Sequence, residues 1–384
     1  MKFEFATATR IVFGAGALAK GIATACSWGR RALLVTAAAT GRSNQLPSLL
    51  SEQHVEVAEY RVTGEPSVES IRAGLAVARA AQCDIVIAIG GGSVLDSGKA
   101  IAILLTNPGD VLDYLELIGR GRSLEHPPVP FVAIPTTAGT GAEVTRNAVI
   151  GSAEHRVKVS LRSPLMLPRL AVIDPLLTCS VPPPITAATG LDALTQVIEP
   201  FVTHAHNPLT DGICREGMRR AARSLRAAYA DGSDLTARED MCVTSLCGGL
   251  ALANAKLGAV HGIAGPLGGM FPAPHGAICA ALLPHVMATN IRALQQRQTG
   301  FPALQRFDEV AQCLTGDHSA RAADGQRWIS QLCADLHIPS LRTYGIAESD
   351  FPELIDLATR ASSMQGNPIR LESQELSDIL HQAW

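Results

Sequence analysis

Short runs of aliphatic and β-branched residues recur along the first half of the chain, at Ala32–Val35, Val55–Tyr60, Asp84–Ile89, Phe131–Ile134 and Leu170–Ile173. Between several of them lie stretches whose apolar residues repeat at helical spacing. Ser67 is placed to cap a helix running to Ala81, and Ser93 one running to about Leu104. Strands alternating with helices predict a parallel sheet covered on both faces. The run DIVIAIG, from Asp84 to Gly90, is apolar almost throughout, as a central parallel strand is. The pattern changes after Asp174. Ser180–Pro184 reads SVPPP, a linker or the punctuation of a first helical turn. Beyond Ile185 the β-branched runs thin out, and alanine, leucine and arginine stretches such as EGMRRAARSLRAAYA favour helix. The late run ASSMQGNPIRLESQEL reads as a loop leading into a final helix. The prediction is an α/β domain over residues 1–180 and a helical domain over 181–384.

Composition narrows the classes. A chain of 384 residues can bury two cores. With 47% apolar and 17% charged residues it reads as globular, not disordered. A net charge of −3 without a basic stripe predicts no nucleic-acid partner. No unbroken run of about twenty apolar residues occurs, so no membrane span is expected. The start MKFEFATATRIVFGAG lacks the pattern of a secretory leader, and the nine cysteines form no CxxC pair. Free thiols in a reducing cytoplasm are the simplest expectation.

Chemistry concentrates in three places. Gly90, Gly91, Gly92 and Ser93 follow a predicted strand and precede a predicted helix, where free N–H groups and bare backbone suit a phosphate. The run is neither of the standard dinucleotide or P-loop fingerprints, and a tight strand-to-helix turn accounts for it equally. Lys99, further along, reads as a surface lysine. Phe131–Gly141, FVAIPTTAGTG, puts hydroxyls and glycines beyond a strand's carboxyl end, where open α/β sheets bind ligands. In the second half, Asp192 and Gln196 are four apart and share one helix face. His261 and His275 are fourteen apart across a glycine- and proline-rich stretch, so they fit two helix ends folded toward one point. One carboxylate and two imidazoles suit a divalent first-row metal with open positions. Core packing is the competing account of each histidine. His285 reads as packing or capping, and His204 and His206 as a polar turn.

Together these segments resemble the iron-containing (group III) alcohol dehydrogenase family. The likeness rests on RIVFGAG, IAIGGGSVLDSGKA, IPTTAGTGAEVTRNAVI, Lys158 before LPRLAVIDP, then GLDAL, NPLTD, HGIAGPLGG, PHG and LLPHVM, and it spans nearly the whole chain. The resemblance implies a dehydroquinate synthase-like fold, with an N-terminal dinucleotide-binding parallel-sheet domain and a C-terminal helical domain. It implies that Gly91, Gly92 and Ser93 hold the pyrophosphate of NAD or NADP. Thr136, Thr137 and Thr140 would line the cofactor site, with Lys158 near the nicotinamide. Asp192, His261 and His275 occupy three of the family's metal-ligand positions. Gln196 stands where the family's GxDAxxHxxE motif has its fourth ligand, a histidine; its amide oxygen can coordinate or hold a water. Gly265 replaces a second histidine, implicated in proton transfer. Related glycerol dehydrogenases hold zinc with three such ligands, and the same set suits iron(II). The histidines must be neutral to bind, so metal affinity should fall in acid. Ala37 stands where the family often has an aspartate for the ribose 2′-hydroxyl, with Arg42 nearby, so NADP should be tolerated.

The expected function is a metal-assisted, NAD(P)-dependent alcohol dehydrogenase, or carbonyl reductase in reverse, acting on a small alcohol, aldehyde or ketone in the cytoplasm. Asp192, His261 and His275 are its expected catalytic residues, and a homodimer its expected assembly. The alternatives are a maleylacetate reductase-like enzyme, a nucleotide-binding protein that has lost turnover and, more remotely, a dehydroquinate synthase. The two carboxylated substrates call for cationic residues that are sparse near the ligand segments.

Overall fold

The computed structural model describes residues 2–37, 45–152, 154–155, 157–297 and 302–384; Arg42 lies outside them. The chain forms two compact units. One comprises Thr7–Thr137 and Gly141–Ser180. The other comprises Val181–Trp384 with Ala138–Thr140 and the first few residues of the chain.

Among the described residues the first unit is built on eight strands: β1 (Ile11–Phe13), β2 (Arg31–Ala37), β3 (Glu56–Val62), β4 (Ile85–Gly90), β5 (Phe131–Pro135), β6 (Asn147–Ser152), β7 (Val157–Arg162) and β8 (Leu170–Ile173). Six make one sheet in the order β1-β8-β5-β4-β2-β3, and every pairing in it is parallel. The helices of this unit are α1 (Ala17–Ala25), α2 (Leu46–Glu52), α3 (Val68–Ala80), α4 (Gly92–Leu104) and the single turn α5 (Val111–Tyr114). Successive strand residues alternate between two cores. Leu33, Val35, Val86, Ala88, Phe131 and Ala133 pack with Ile71, Leu75 and Ile101 of α3 and α4. Leu34, Ile85, Ile87, Ile89, Val132 and Ile134 pack with Ile22, Leu46 and Leu50 of α1 and α2. Burial on both faces is why the strand sequences are apolar without alternation. The separate antiparallel pair β6–β7 and the short strand β1 were not anticipated.

Ser67 caps α3 as expected: its Oγ accepts from the Ser70 N–H at 3.1 Å, and the Ser70 Oγ accepts from the Ser67 N–H at 2.8 Å. Two expectations fail beside it. Gly91, not Ser93, is the N-cap of α4, and Ser93 lies inside the first turn. Lys99 is buried, not at the surface. Its Nζ donates to the Ala142 and Asn147 carbonyls at 2.9 and 2.7 Å and to Thr145 Oγ1 at 3.0 Å. Asp96 lies 3.7 Å from the same ammonium. Such a site, remote in sequence, satisfies a buried cation that local composition cannot reveal.

The second unit contains nine helices among the described residues. They are α6 (Pro183–Val202), α7 (Pro208–Ala230), α8 (Leu235–Asn254), α9 (Ala259–Met270), α10 (His275–Arg297), α11 (Ala303–Thr315), α12 (Ala322–Asp335), α13 (Phe351–Arg360) and α14 (Ser373–Ala383). Pro183 and Pro184 sit in the first turn of α6, where proline's missing N–H costs nothing. One contiguous core runs through these helices. Among the described residues α10 is long and apolar enough to cross a membrane, as is the bent pair α8–α9 if taken as one span, but 83% of the most apolar window of α10 is buried, the pattern of a central core helix.

Candidate metal and cofactor sites

Helix α6 carries Asp192, Gln196 and Glu199 on one stripe, at successive turns. His261 is the third residue of α9 and His275 the first of α10, so each imidazole projects from a helix N-terminus. The two helix ends meet α6 because glycines admit them. A Cβ on Gly276 would lie 2.6 Å from the Ala188 carbonyl oxygen, and one on Gly258 would lie 2.8 Å from Glu199 Oε1. Glu199 and Asn367 then serve the start of α9 from a distance. Glu199 Oε1 accepts the Val260 N–H at 2.7 Å, and Asn367 Oδ1 accepts the Ala259 N–H at 3.1 Å.

The second oxygen of Glu199 accepts from His261 Nδ1 at 2.7 Å. That bond fixes the tautomer, leaving the lone pair on Nε2. Nε2 stands 3.4 Å from Asp192 Oδ1, and His275 Nε2 stands 4.0 Å from the same oxygen. Asp192 Oδ1, Gln196 Oε1 and His261 Nε2 are all buried without a hydrogen-bond partner. Buried acceptors are costly when unpaired, so Asp192 Oδ1 and His261 Nε2, 3.4 Å apart, call for a cation, whereas the Gln196 oxygen lies toward Gly248 of α8. Burial opposes charge on His261, yet Asp192 and Glu199 outweigh it and push its pKa up to about 10. Burial likewise opposes the Asp192 carboxylate, but His261, His275 and the Gln196 amide hold its pKa below the ordinary range. Two positive helix ends face this point, and two carboxylates offset them. Asp192 and His261 are buried, whereas His275 is half-buried and is the ligand candidate most open to solvent.

Three of the four residues expected at a metal therefore converge, with Gln196 one turn from Asp192. Two residues went unrecognised in the sequence. Glu199 is the partner of His261. Cys279, four residues after His275 on α10, puts its Sγ 3.6 Å from His275 Nε2 and completes a cluster with Asp192 and His261. No other cluster of three or more His, Cys, Asp or Glu ligand atoms occurs among the described residues. His206 pairs with Asp211 at 3.1 Å, and His285 Nδ1 lies 3.2 Å from Gln382 Oε1. A side chain at Gly265 would enter open space.

In the sheet unit, the chain reverses direction across the sheet between β2 and β4, and Gly91, Gly92 and Ser93 lie at the carboxyl end of β4 beside that crevice. Open α/β sheets bind their ligands at such a switch point. None of these glycines has positive φ. Gly90 is needed for packing instead, because a Cβ there would lie 2.6 Å from Val94. A Cβ on Gly91 would meet only Thr137, at 3.4 Å or more, so the backbone at the start of α4 is accessible. Thr136 anchors the neighbouring loop through its N–H to the Gly90 carbonyl at 2.9 Å. Thr140 belongs with the helical unit, in a segment whose Gly139 packs on Thr189 of α6. Lys158, on β7, pairs with Glu65. Ala37 ends β2 opposite Val62.

Residues 8–175 match the family model described as iron-containing alcohol dehydrogenase, and residues 186–384 match its C-terminal counterpart. Among curated proteins, the chain is 39% identical to 1,3-propanediol dehydrogenase of Klebsiella pneumoniae, covering 93% of this chain and 92% of that protein. It is 37% identical to alcohol dehydrogenase 4 of Saccharomyces cerevisiae, covering 92% and 91%. Among solved structures, a 1,3-propanediol oxidoreductase superposes with a TM-score of 0.93 at 36% identity over the full length of both chains. A sulfoacetaldehyde reductase from Bifidobacterium kashiwanohense, in complex with NAD+, superposes with a TM-score of 0.87 at 28% identity, covering 100% and 99%.

Proposed function

The chain belongs to the iron-containing alcohol dehydrogenase family, with its dehydroquinate synthase-like fold and its alcohol dehydrogenase activity, and from that premise we propose that Asp192, His261 and His275 hold the divalent metal and that the start of α4 holds NAD(P). The observation that carries the reading is the convergence of buried, unpartnered Asp192 Oδ1 and His261 Nε2, 3.4 Å apart, beside His275. A divalent ion at this site supplies Lewis-acid polarisation of the substrate oxygen, and the nicotinamide supplies the hydride acceptor.

The chain's own part is orientation and charge. Glu199 holds the His261 ring so that Nε2 faces Asp192. Without metal, His261 takes up a proton between the two carboxylates, and binding of a cation requires that proton to leave. Gln196, whose oxygen is buried and unpartnered, offers a neutral further donor. Gly91, Gly92 and Ser93 present the N-terminal N–H groups and dipole of α4 to a pyrophosphate. Thr136 and Thr137 shape the rim of that site, and we assign Thr140 and Lys158 to the same cofactor. With Ala37 at the end of β2 there is no carboxylate there to repel a 2′-phosphate, so NADP is accepted alongside NAD. The substrate is a small alcohol, for which the names of the relatives make 1,3-propanediol the first candidate. Those names do not favour maleylacetate reduction. The nine cysteines form no disulfide, which suits a reducing cytoplasm, and the assembly we assign is a homodimer.

Purified protein assayed with NAD+ or NADP+ and a panel of primary alcohols and diols tests the reading. Turnover should vanish on exhaustive chelation and return with iron(II) or zinc. Turnover unchanged in metal-free protein would overturn it.

A further inference from the structure

We propose that Cys279 is a fourth protein ligand of the metal site, as a thiolate beside Asp192, His261 and His275. This rests on the metal reading above and goes beyond it in ligand set and metal preference. Cys279 is fully buried at the start of α10, four residues after His275 and so on the same helix face. Its Sγ belongs to a group of four ligand atoms that all lie within 4.8 Å of one another. The thiol does not stand alone. Two other members, Asp192 Oδ1 and His261 Nε2, have side chains only 2% and 7% exposed and no hydrogen-bond partner.

The distances fit one shared cation. Bond lengths of about 2.0–2.3 Å place tetrahedral ligands about 3.4 Å apart for two nitrogen or oxygen atoms, and about 3.6 Å apart for nitrogen and sulfur. The chain shows 3.4 Å between His261 Nε2 and Asp192 Oδ1. It shows 3.6 Å between His275 Nε2 and Cys279 Sγ. The remaining measured edge, His275 Nε2 to Asp192 Oδ1, is 4.0 Å and needs only a small adjustment. Binding exchanges the Sγ–H bond for an Sγ–metal bond, and the proton passes to solvent. The thiolate adds a second negative charge and a soft donor where Gln196 offers only a neutral amide. Softness moves the preference of the site from iron(II) toward zinc.

The test loads full-length protein with one equivalent of zinc or cobalt(II). X-ray absorption of the zinc form should show one sulfur neighbour at about 2.3 Å. The cobalt form should show near-ultraviolet thiolate-to-metal charge-transfer absorption. Cys279→Ala should lose both signals and weaken zinc by on the order of tenfold or more, with a smaller effect on iron(II). A stoichiometric zinc site with only nitrogen and oxygen neighbours would overturn the proposal while leaving the metal site standing, with Cys279 a buried thiol beside His275. Absence of stoichiometric binding, or binding unchanged by Asp192→Ala, would remove both readings together. The wild-type spectrum decides the question even where Cys279→Ala folds poorly.

Discussion

Replacing Glu199 by glutamine separates orientation of a ligand from the ligand itself. Both oxygens of Glu199 are used, one by the Val260 N–H and the other by His261 Nδ1, each at 2.7 Å. Glutamine has one oxygen and one NH2, so it can serve only one of the two donors. The other then faces an amide N–H in a buried place. An unsatisfied buried donor costs about 1–3 kcal/mol. If the oxygen stays with Val260, His261 loses its acceptor, its tautomer is no longer fixed and Nε2 becomes a weaker ligand. Loss of such a supporting bond lowers metal affinity by about 10–100-fold. If the oxygen stays with His261, the start of α9 loses its bond and the penalty falls on folding instead. Competition titration against a chelator gives the affinity, and urea denaturation of the metal-free protein gives the folding cost. Zinc affinity at least about tenfold lower, with a metal-free stability loss inside the 1–3 kcal/mol range, is the expected pair. Unchanged affinity together with unchanged stability would show that the two bonds do not act as described.

Three further predictions concern the sheet unit. Burial pushes the pKa of Glu143 from an ordinary 4.5 up to about 7, against its own backbone N–H and the nearby Lys99 ammonium. A group raised in this way contributes stability that is complete below about pH 4.5 and is lost as pH rises through about 7, by about 3 kcal/mol. Glu143→Gln should remove that loss, so its urea midpoint should exceed wild type at pH 8 and match it near pH 4.5; parallel pH profiles for the two proteins would contradict this. Gly91→Ala should fold normally, because the added Cβ meets only Thr137 at 3.4 Å or more. It should nevertheless raise the KM for NAD(P) by about tenfold or more, since a methyl group blocks close backbone approach. Gly90→Ala should instead lower the melting temperature through its clash with Val94. Normal cofactor affinity in a well-folded Gly91→Ala would remove this segment from the cofactor site.

The parallel strands were legible because burial on both faces leaves only apolar residues acceptable, and Ile85–Gly90 shows this in every position. Where that condition fails, so does the reading. Strand β1 has three residues at the sheet edge, and its Phe13 is exposed. The β6–β7 pair mixes Asn147, Lys158 and Ser160 with its apolar residues, so it presents neither an unbroken apolar run nor a clean alternation. The cap of α4 was misassigned because Gly91 does the work with backbone alone, and the first hydroxyl after it, Ser93, looked like the marker.

The same asymmetry governs the metal site. His261 and His275 drew notice because glycines flank them, and Gly276 indeed lets α10 close on α6. Glu199 shares the stripe of Asp192, two turns on, but a carboxylate at helical spacing reads by default as a solvated face. Only the fold shows that α9 begins against it and gives it two donors. Cys279 is hidden in a different way. A cysteine among alanines and leucines is what a helix core ordinarily contains, and the chain has eight others. What distinguishes it is its place one turn after His275 on a helix whose first residue already faces Asp192. Residue type therefore exposed the imidazoles. Periodicity could have exposed both missed residues, had it been read outward from each candidate ligand instead of along each helix.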